Sequence, residues 1–243
     1  SRRHIMLQVE ESLRKLRTDW IDLYQIHRTD PDTPLDETLG AMTDLVRQGK
    51  VRYIGVSTGS QAESRSMHFP GWRMVESLWL SERGHLERFI STQPPYSILT
   101  REAEREIFPV CLAHGFGALV WSPLDGGWLA GRYRKGQPLP DDSRATNQTE
   151  FGAFVHSRFD LKNPVNQRRL DVVEALIPLA EELGVPLSQY ATAWALLHPA
   201  VSSAIIGVRV LRHLEDSLKA LAVKIPDAHR ERIDALVPPG TNV

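Results

Sequence analysis

Short apolar runs alternate with amphipathic segments along most of the chain. Apolar residues recur every three or four positions from Ile5 to Leu16, which predicts a helix that ends near Arg17, and the apolar run at 20–26 predicts a strand. The same alternation then repeats four more times. Further strands are predicted at 51–57, 89–93, 117–122 and 201–207, and further helices at 35–48, 72–84, 101–114, 165–183, 187–198, 211–221 and 227–236.

Two features of the chain mark boundaries. Thr33 and Pro34 are residue types that cap a helix and fit its first turn, so the second helix is predicted to begin there, and Gly49 is placed to end it. Residues 125–163 are rich in Gly, Pro, Asn and Asp. This stretch predicts a long functional loop or lid.

Strands that alternate with helices predict a parallel sheet covered on its faces. The sheet is either doubly wound or part of a (βα)8 barrel, and the alternation alone does not choose between them. A Rossmann domain needs G-x-G-x-x-G between its first strand and helix, whereas "GFGALV" has the wrong spacing and leads into a strand. No Walker A sequence occurs either. We expect one domain over residues 1–243.

The composition is that of an ordinary globular protein, with 42% hydrophobic and 24% charged residues. The 29 basic and 30 acidic residues nearly cancel, so no global field draws the chain to nucleic acid or an anionic membrane. We therefore expect a small-molecule partner, with an oligomer possible. Cys111 is the only cysteine, and packing is its expected role on an apolar helix face. This cysteine count excludes a disulfide framework and, without an apolar membrane span or signal peptide, favours the cytoplasm.

Polar side chains stand where the predicted strands end, which is where parallel α/β folds place their chemistry. A barrel glycosidase would need two opposed carboxylates at these ends, and a metal hydrolase would need several His and carboxylate ligands. Neither set is there, so no metal site is expected. The residues at these ends are His27, Ser57, Gln93, Trp121 with Ser122, and Gly207 to Arg209.

Hydroxyls, an amide and an indole suit an aromatic ligand that carries a carboxamide. Ser57 and Gln93 each offer a donor and an acceptor to such a group, and Trp121 offers a ring face. Arg209 lies just before a predicted helix, where barrels often hold phosphate.

Four blocks of the sequence resemble the aldo-keto reductase superfamily. They are "LRTDWIDLYQIHRTDPDTPLDETLGAMTDLVRQGKVRYIGVS", "QPPYSILTREAE", "VWSPLDGGWLAGRY" and "SSAIIGVRVLRHLEDSL". Their order and spacing are most similar to the branch that includes the potassium-channel β subunits, from residue 1 to about 221. The resemblance implies a (βα)8 TIM barrel that binds NADP in extended form and reduces an aldehyde or ketone.

The resemblance also implies roles for single residues. His27 matches the histidine of the family's catalytic tetrad and is expected to orient and polarise the substrate carbonyl. Ser57 and Gln93 match the carboxamide contacts, Trp121 matches the stacking aromatic, and Thr58 stands where the family has an asparagine. Further cofactor contacts are implied for Ser122, Pro123, Leu124, Arg132 and Arg144 on the pyrophosphate side and for Gly207, Arg209, His213, Asp216 and Ser217 at the adenosine-phosphate end.

The family's catalytic tyrosine, lysine and aspartate have no match in the chain. The resemblance begins at a helix that follows the third barrel strand, so an amino-terminally truncated barrel with about five of eight strands is expected. Little carbonyl reductase activity is then expected of the isolated chain. The alternative is a non-catalytic module that binds nucleotide or a partner, as the channel β subunits suggest.

Overall fold

The computed structural model describes residues 1–58, 69–141, 143, 146 and 159–243. Strands and helices alternate in it as the sequence pattern predicts. The strands are β1 (Ile21–Ile26), β2 (Val51–Ser57), β3 (Phe89–Gln93), β4 (Gly117–Trp121) and β5 (Val201–Ile205). The α-helices are α1 (Arg2–Leu16), α2 (Leu35–Arg47), α3 (Gly71–Gly84), α4 (Ile107–His114), α5 (Pro164–Glu182), α6 (Leu187–Ala195), α7 (Leu211–Lys219) and α8 (Asp227–Leu236).

The strands form a five-stranded sheet in which strand order follows chain order. β1 pairs in parallel with β2, β2 with β3, and β3 with β4. Successive parallel strands joined by helices are the repeating unit of a (βα)8 barrel. The predicted fold class is therefore confirmed, with five strands of such a barrel in the part of the chain described. None of the helices described there is both long and apolar enough to cross a membrane.

The chain divides into two compact units. Unit 1 comprises Ser1–Pro94 and Arg105–Leu119, and unit 2 comprises Pro95–Glu104 and Val120–Val243. β4 passes from unit 1 to unit 2 between Leu119 and Val120. The single domain expected over residues 1–243 stays a prediction.

The core of unit 1 is built from one face of α2 and one face of the sheet. Leu39, Met42 and Leu45 are spaced three residues apart on α2 and are buried, as are Ile54 and Val56 of β2. The other face of β2 is more open, with Tyr53 58% exposed. Successive strand residues point to opposite faces, so Ser57 shares the face of Tyr53.

Aromatic side chains pack together at two places in unit 2. The ring centroid of Trp128 lies 5.0 Å from that of Tyr133 and 5.4 Å from that of Phe159. Elsewhere in the unit Tyr96 stacks on Trp194 at 5.1 Å. These rings supply much of the apolar surface that the unit buries.

Arg101 ties the segment 95–104 of unit 2 to the end of the chain. Its guanidinium donates to Glu104 at 2.8 and 3.0 Å, to Asp234 at 2.6 Å and to the carbonyl of Val237 at 2.6 Å. It also lies 5.0 Å from the ring centroid of Trp194. At 4% exposure it is a buried charge with its partners in place.

Two predicted helices begin differently in the structure. The helix predicted at 101–114 is a 3₁₀ turn at Glu102–Glu104 followed by the separate helix α4, because Pro109 fits the first turn of a helix and not its interior. The prediction that Thr33 caps the second helix is also wrong. Pro34 is the N-cap of α2, since the Thr33 hydroxyl donates to Asp30 at 2.6 Å instead of capping the helix.

Two predicted strands and two predicted helices end earlier than expected. The strand predicted at 117–122 stops at Trp121, because Ser122 has a φ of 57°, which no strand accommodates. The strand predicted at 201–207 stops at Ile205. The helix predicted at 187–198 ends at Ala195, and the one predicted at 211–221 becomes a 3₁₀ turn after Lys219.

Cys111 is buried in α4, which confirms its predicted packing role. Burial raises the pKa of its thiol to about 12. In the folded protein at pH 8 we expect it to react with the thiol reagent DTNB at least about 100-fold more slowly than an exposed cysteine, because access and thiolate fraction both fall. Absorbance at 412 nm measures the rate, and the same sample in guanidinium chloride is the control. Equal rates with and without denaturant would contradict the burial.

Candidate functional site

Three predicted site residues lie at the carboxyl ends of neighbouring strands in unit 1. His27 directly follows β1, Ser57 ends β2 and Gln93 ends β3. Ser57 and Gln93 are partners in the strand register, and the Ser57 hydroxyl donates to the Gln93 backbone carbonyl at 3.3 Å. Ile26 pairs with Val56, so His27 and Ser57 each stand one residue beyond the same pair. The structure thus brings these three residues to one edge of the sheet.

Gln25 belongs to the same edge and is a residue that the strand-end pattern does not identify. Its Nε2 donates to Oε1 of Gln93 at 2.7 Å. The hydroxyl of Ser91 donates to Oε1 of Gln25 at 3.4 Å. Gln25 and His27 are two residues apart and so lie on the same face of the chain. The only signal in the sequence is a long amide side chain inside the apolar run "IDLYQI".

Thr58 is turned away from this edge. It is buried, and its hydroxyl lies 3.2 Å from the hydroxyl of Thr92. Its backbone N–H donates to the Gln93 carbonyl at 3.2 Å. Thr58 therefore helps to hold the end of β3, and its side chain is engaged inside the protein.

The loop after β4, in unit 2, has an unusual backbone. Ser122 and Asp125 are non-glycine residues in the left-handed region, with φ of 57° and 46°, and Gly126 and Gly127 follow with φ of 70° and 113°. The Asp125 N–H donates to the Ser122 carbonyl at 2.8 Å, which closes the turn. Left-handed non-glycine residues are costly and concentrate at functional sites. Within this region Trp121, Ser122 and Leu124 are half-buried, Pro123 is buried and Arg132 is exposed.

The predicted adenosine-phosphate residues lie around the start of α7, also in unit 2. Gly207 and Arg209 are exposed in the loop that follows β5. His213, Asp216 and Ser217 stand at spacings of three and four on α7 and so share one face. The Ser217 hydroxyl donates to the His213 carbonyl at 2.7 Å, and the Asp216 carboxylate accepts from Lys219 at 3.0 Å. Asp216 is thus already part of a surface ion pair.

Some candidate features lie beyond what the structure describes. Arg144 lies outside the described residues, as do residues 142, 145 and 147–158 of the predicted lid. Among the residues that are described, no group of three or more His, Cys, Asp or Glu side chains is arranged to hold a metal ion.

Comparison with known proteins shows which family the chain is similar to. Residues 1–238 match the aldo/keto reductase family. Three similar proteins are named as a putative voltage-gated potassium channel subunit beta of Schizosaccharomyces pombe, the uncharacterized oxidoreductase YrpG of Bacillus subtilis and the versiconal hemiacetal acetate reductase of Aspergillus parasiticus.

The three relatives match nearly all of this chain but only part of their own. They are 32%, 35% and 32% identical to it over 239, 224 and 225 residues, which is 98%, 92% and 93% of the chain. The matched regions are 62%, 59% and 59% of the relatives' own lengths. The chain therefore spans about three fifths of each relative.

Proposed function

Since the chain belongs to the aldo/keto reductase family, we propose that it serves the NADP-dependent reduction of an aldehyde or ketone to an alcohol. The observation that supports this most directly is the edge of unit 1 where His27, Ser57 and Gln93 end neighbouring strands. The single buried thiol of Cys111 suits the reducing cytoplasm, where we place the reaction.

The side chains at the predicted positions fit a nicotinamide cofactor chemically. A carboxamide has one acceptor and two donor hydrogens, and Ser57 and Gln93 each both donate and accept. Trp121 would stack on the ring, and the exposed guanidinium of Arg209 suits a phosphate. The proposed further contacts are Ser122, Pro123, Leu124, Arg132, Arg144, Gly207, His213, Asp216 and Ser217. When bound, the reduced cofactor supplies the hydride.

His27 is the residue proposed to act on the substrate. Its exposed imidazole, directly after the end of β1, would hydrogen-bond the carbonyl oxygen and stabilise the negative charge that develops there. The tyrosine that protonates this oxygen in the family has no match in the chain. We therefore expect these 243 residues to bind NADPH but to turn over carbonyl substrates very slowly.

Titration with NADPH, followed by tryptophan fluorescence, tests the proposal. Saturable quenching is expected, and Arg209→Ala is expected to weaken NADPH binding by about tenfold or more, because a charge-assisted bond to phosphate is lost. NADH binding should change little. Arg230→Ala, which removes an exposed arginine from α8, is the control and should bind NADPH as the unaltered chain does. Absence of saturation with both cofactors would refute the proposal.

A second candidate is a module of this fold that binds nucleotide or a partner without catalysis. Relatives named as voltage-gated potassium channel β subunits in Schizosaccharomyces pombe, Arabidopsis thaliana and Oryza sativa favour it. The protein expressed from its whole gene separates the two. A reductase consumes NADPH when a panel of aldehydes is added, whereas a binding module holds NADPH without consuming it.

A further inference from the structure

Gln25, Gly55 and Ser91 occupy one row across the first three strands. Gln25 is the register partner of Gly55, and Gly55 is the register partner of Ser91. A Cβ atom at Gly55 would lie 2.3 Å from the Ser91 hydroxyl oxygen and 3.1 Å from Cγ of Gln25. The missing side chain at Gly55 is therefore the space through which Gln25 reaches the side chains of β3.

The side chains of Ser91 and Gln25 form two successive hydrogen bonds, and the second one ends on Gln93. The Ser91 hydroxyl donates to Oε1 of Gln25 at 3.4 Å, and Nε2 of Gln25 donates to Oε1 of Gln93 at 2.7 Å. A glutamine amide turns easily about its last bond and then offers either its oxygen or its nitrogen to a ligand. The hydrogen bond from Gln25 fixes the orientation of the Gln93 amide, because it holds Oε1 of Gln93 towards Gln25.

We propose that Gln25 is a positioning residue, which reaches across the gap at Gly55 to hold the Gln93 amide in the orientation that binds the carboxamide of the nicotinamide ring. This inference rests on the proposed function. A residue that does not touch the ligand itself commonly orients the residue that does, as happens around the ligands of metal ions. A fixed amide loses less rotational freedom when it binds, so the ligand binds more tightly.

Binding of two ligands to Gln25→Met tests the inference. NADP⁺ carries the carboxamide, whereas 2′-phospho-ADP-ribose has the same adenosine and phosphates but no nicotinamide. Methionine keeps the length of glutamine but cannot donate to Gln93. Isothermal titration calorimetry is expected to give an NADP⁺ affinity about fivefold lower, about 1 kcal/mol, because one orienting hydrogen bond is lost. The affinity for 2′-phospho-ADP-ribose should stay unchanged.

A double-mutant cycle shows whether Gln25 acts through Gln93. If it does, Gln93→Met alone already removes the benefit, and Gln25→Met added to it should not weaken NADP⁺ further. Gln8→Met, on the exposed side of α1, is the matched control and should bind both ligands as the unaltered chain does.

The outcomes separate this inference from the proposed function. If the unaltered chain binds neither ligand, both are wrong. If it binds both ligands and Gln25→Met binds NADP⁺ equally well, only the inference fails. Equal loss of both ligands in Gln25→Met, or independent effects in the cycle, would show a structural role for Gln25 and would also overturn the inference.

Discussion

Replacement of Arg101 by alanine will lower the free energy of unfolding by about 3–5 kcal/mol, the range for breaking a buried ion pair from one side. Arg101 is 4% exposed, and its guanidinium is the shared partner of Glu104, Asp234 and the Val237 carbonyl. The side chain of Glu104 is itself only 10% exposed, so it is left as a buried carboxylate without its cation. Urea denaturation followed by circular dichroism measures the loss.

Two further variants show whether this loss comes from the unpaired carboxylate. Arg105→Ala removes a neighbouring but exposed arginine and should change stability by less than about 0.5 kcal/mol. Arg101→Met combined with Glu104→Gln should be more stable than Arg101→Ala, because no charge is then buried alone. If Arg101→Ala unfolds at the same urea concentration as Arg105→Ala, the network around Arg101 does not hold unit 2 together.

Replacement of Trp128 by alanine is expected to cost a similar amount, about 3–5 kcal/mol, as is usual when a large buried ring is removed. Trp128 is 1% exposed and stacks on Phe159 with an angle of 19° between the rings. Tyr133 and Phe159, which pack on the Trp128 ring, would be left facing a cavity. Thermal and urea denaturation both measure the effect.

An exposed tryptophan provides the matched control for Trp128. Trp72 on α3 is 61% exposed, and Trp72→Ala should change stability by less than about 0.5 kcal/mol. Trp128→Phe should recover part of the loss, because it keeps an aromatic ring in the cluster. An equal effect of the two alanine variants would contradict the packing described for unit 2.

The sequence pattern predicts the strands well because parallel strands covered by helices are continuous apolar runs. It cannot predict that the segment around Arg101 is tied to the end of the chain. The Arg101 N–H is held by residues 241 and 242, about 140 positions further along the chain, and helical periodicity carries no information about a partner so distant.

The residues of the candidate site are likewise predictable only where the signal lies in a single stretch of sequence. His27, Ser57 and Gln93 are predictable because each ends an apolar run, and parallel strands bring their carboxyl ends to one edge. Gln25 is not predictable in this way. Its contact with Gln93 passes through the space at Gly55 and depends on a strand register that no single segment contains.

The link between Arg101 and the end of the chain also sets an order for folding during synthesis. Asn242 is translated 141 residues after Arg101. At bacterial or eukaryotic elongation rates this is a delay of roughly 7 to 28 s. Unit 1 is complete once residue 119 has been made, whereas the segment 95–104 waits for its partners throughout this time. A nascent chain paused before Trp194 has been made exposes Tyr96 and leaves Arg101 without Asp234 and the Val237 carbonyl, so we expect chaperones to bind it.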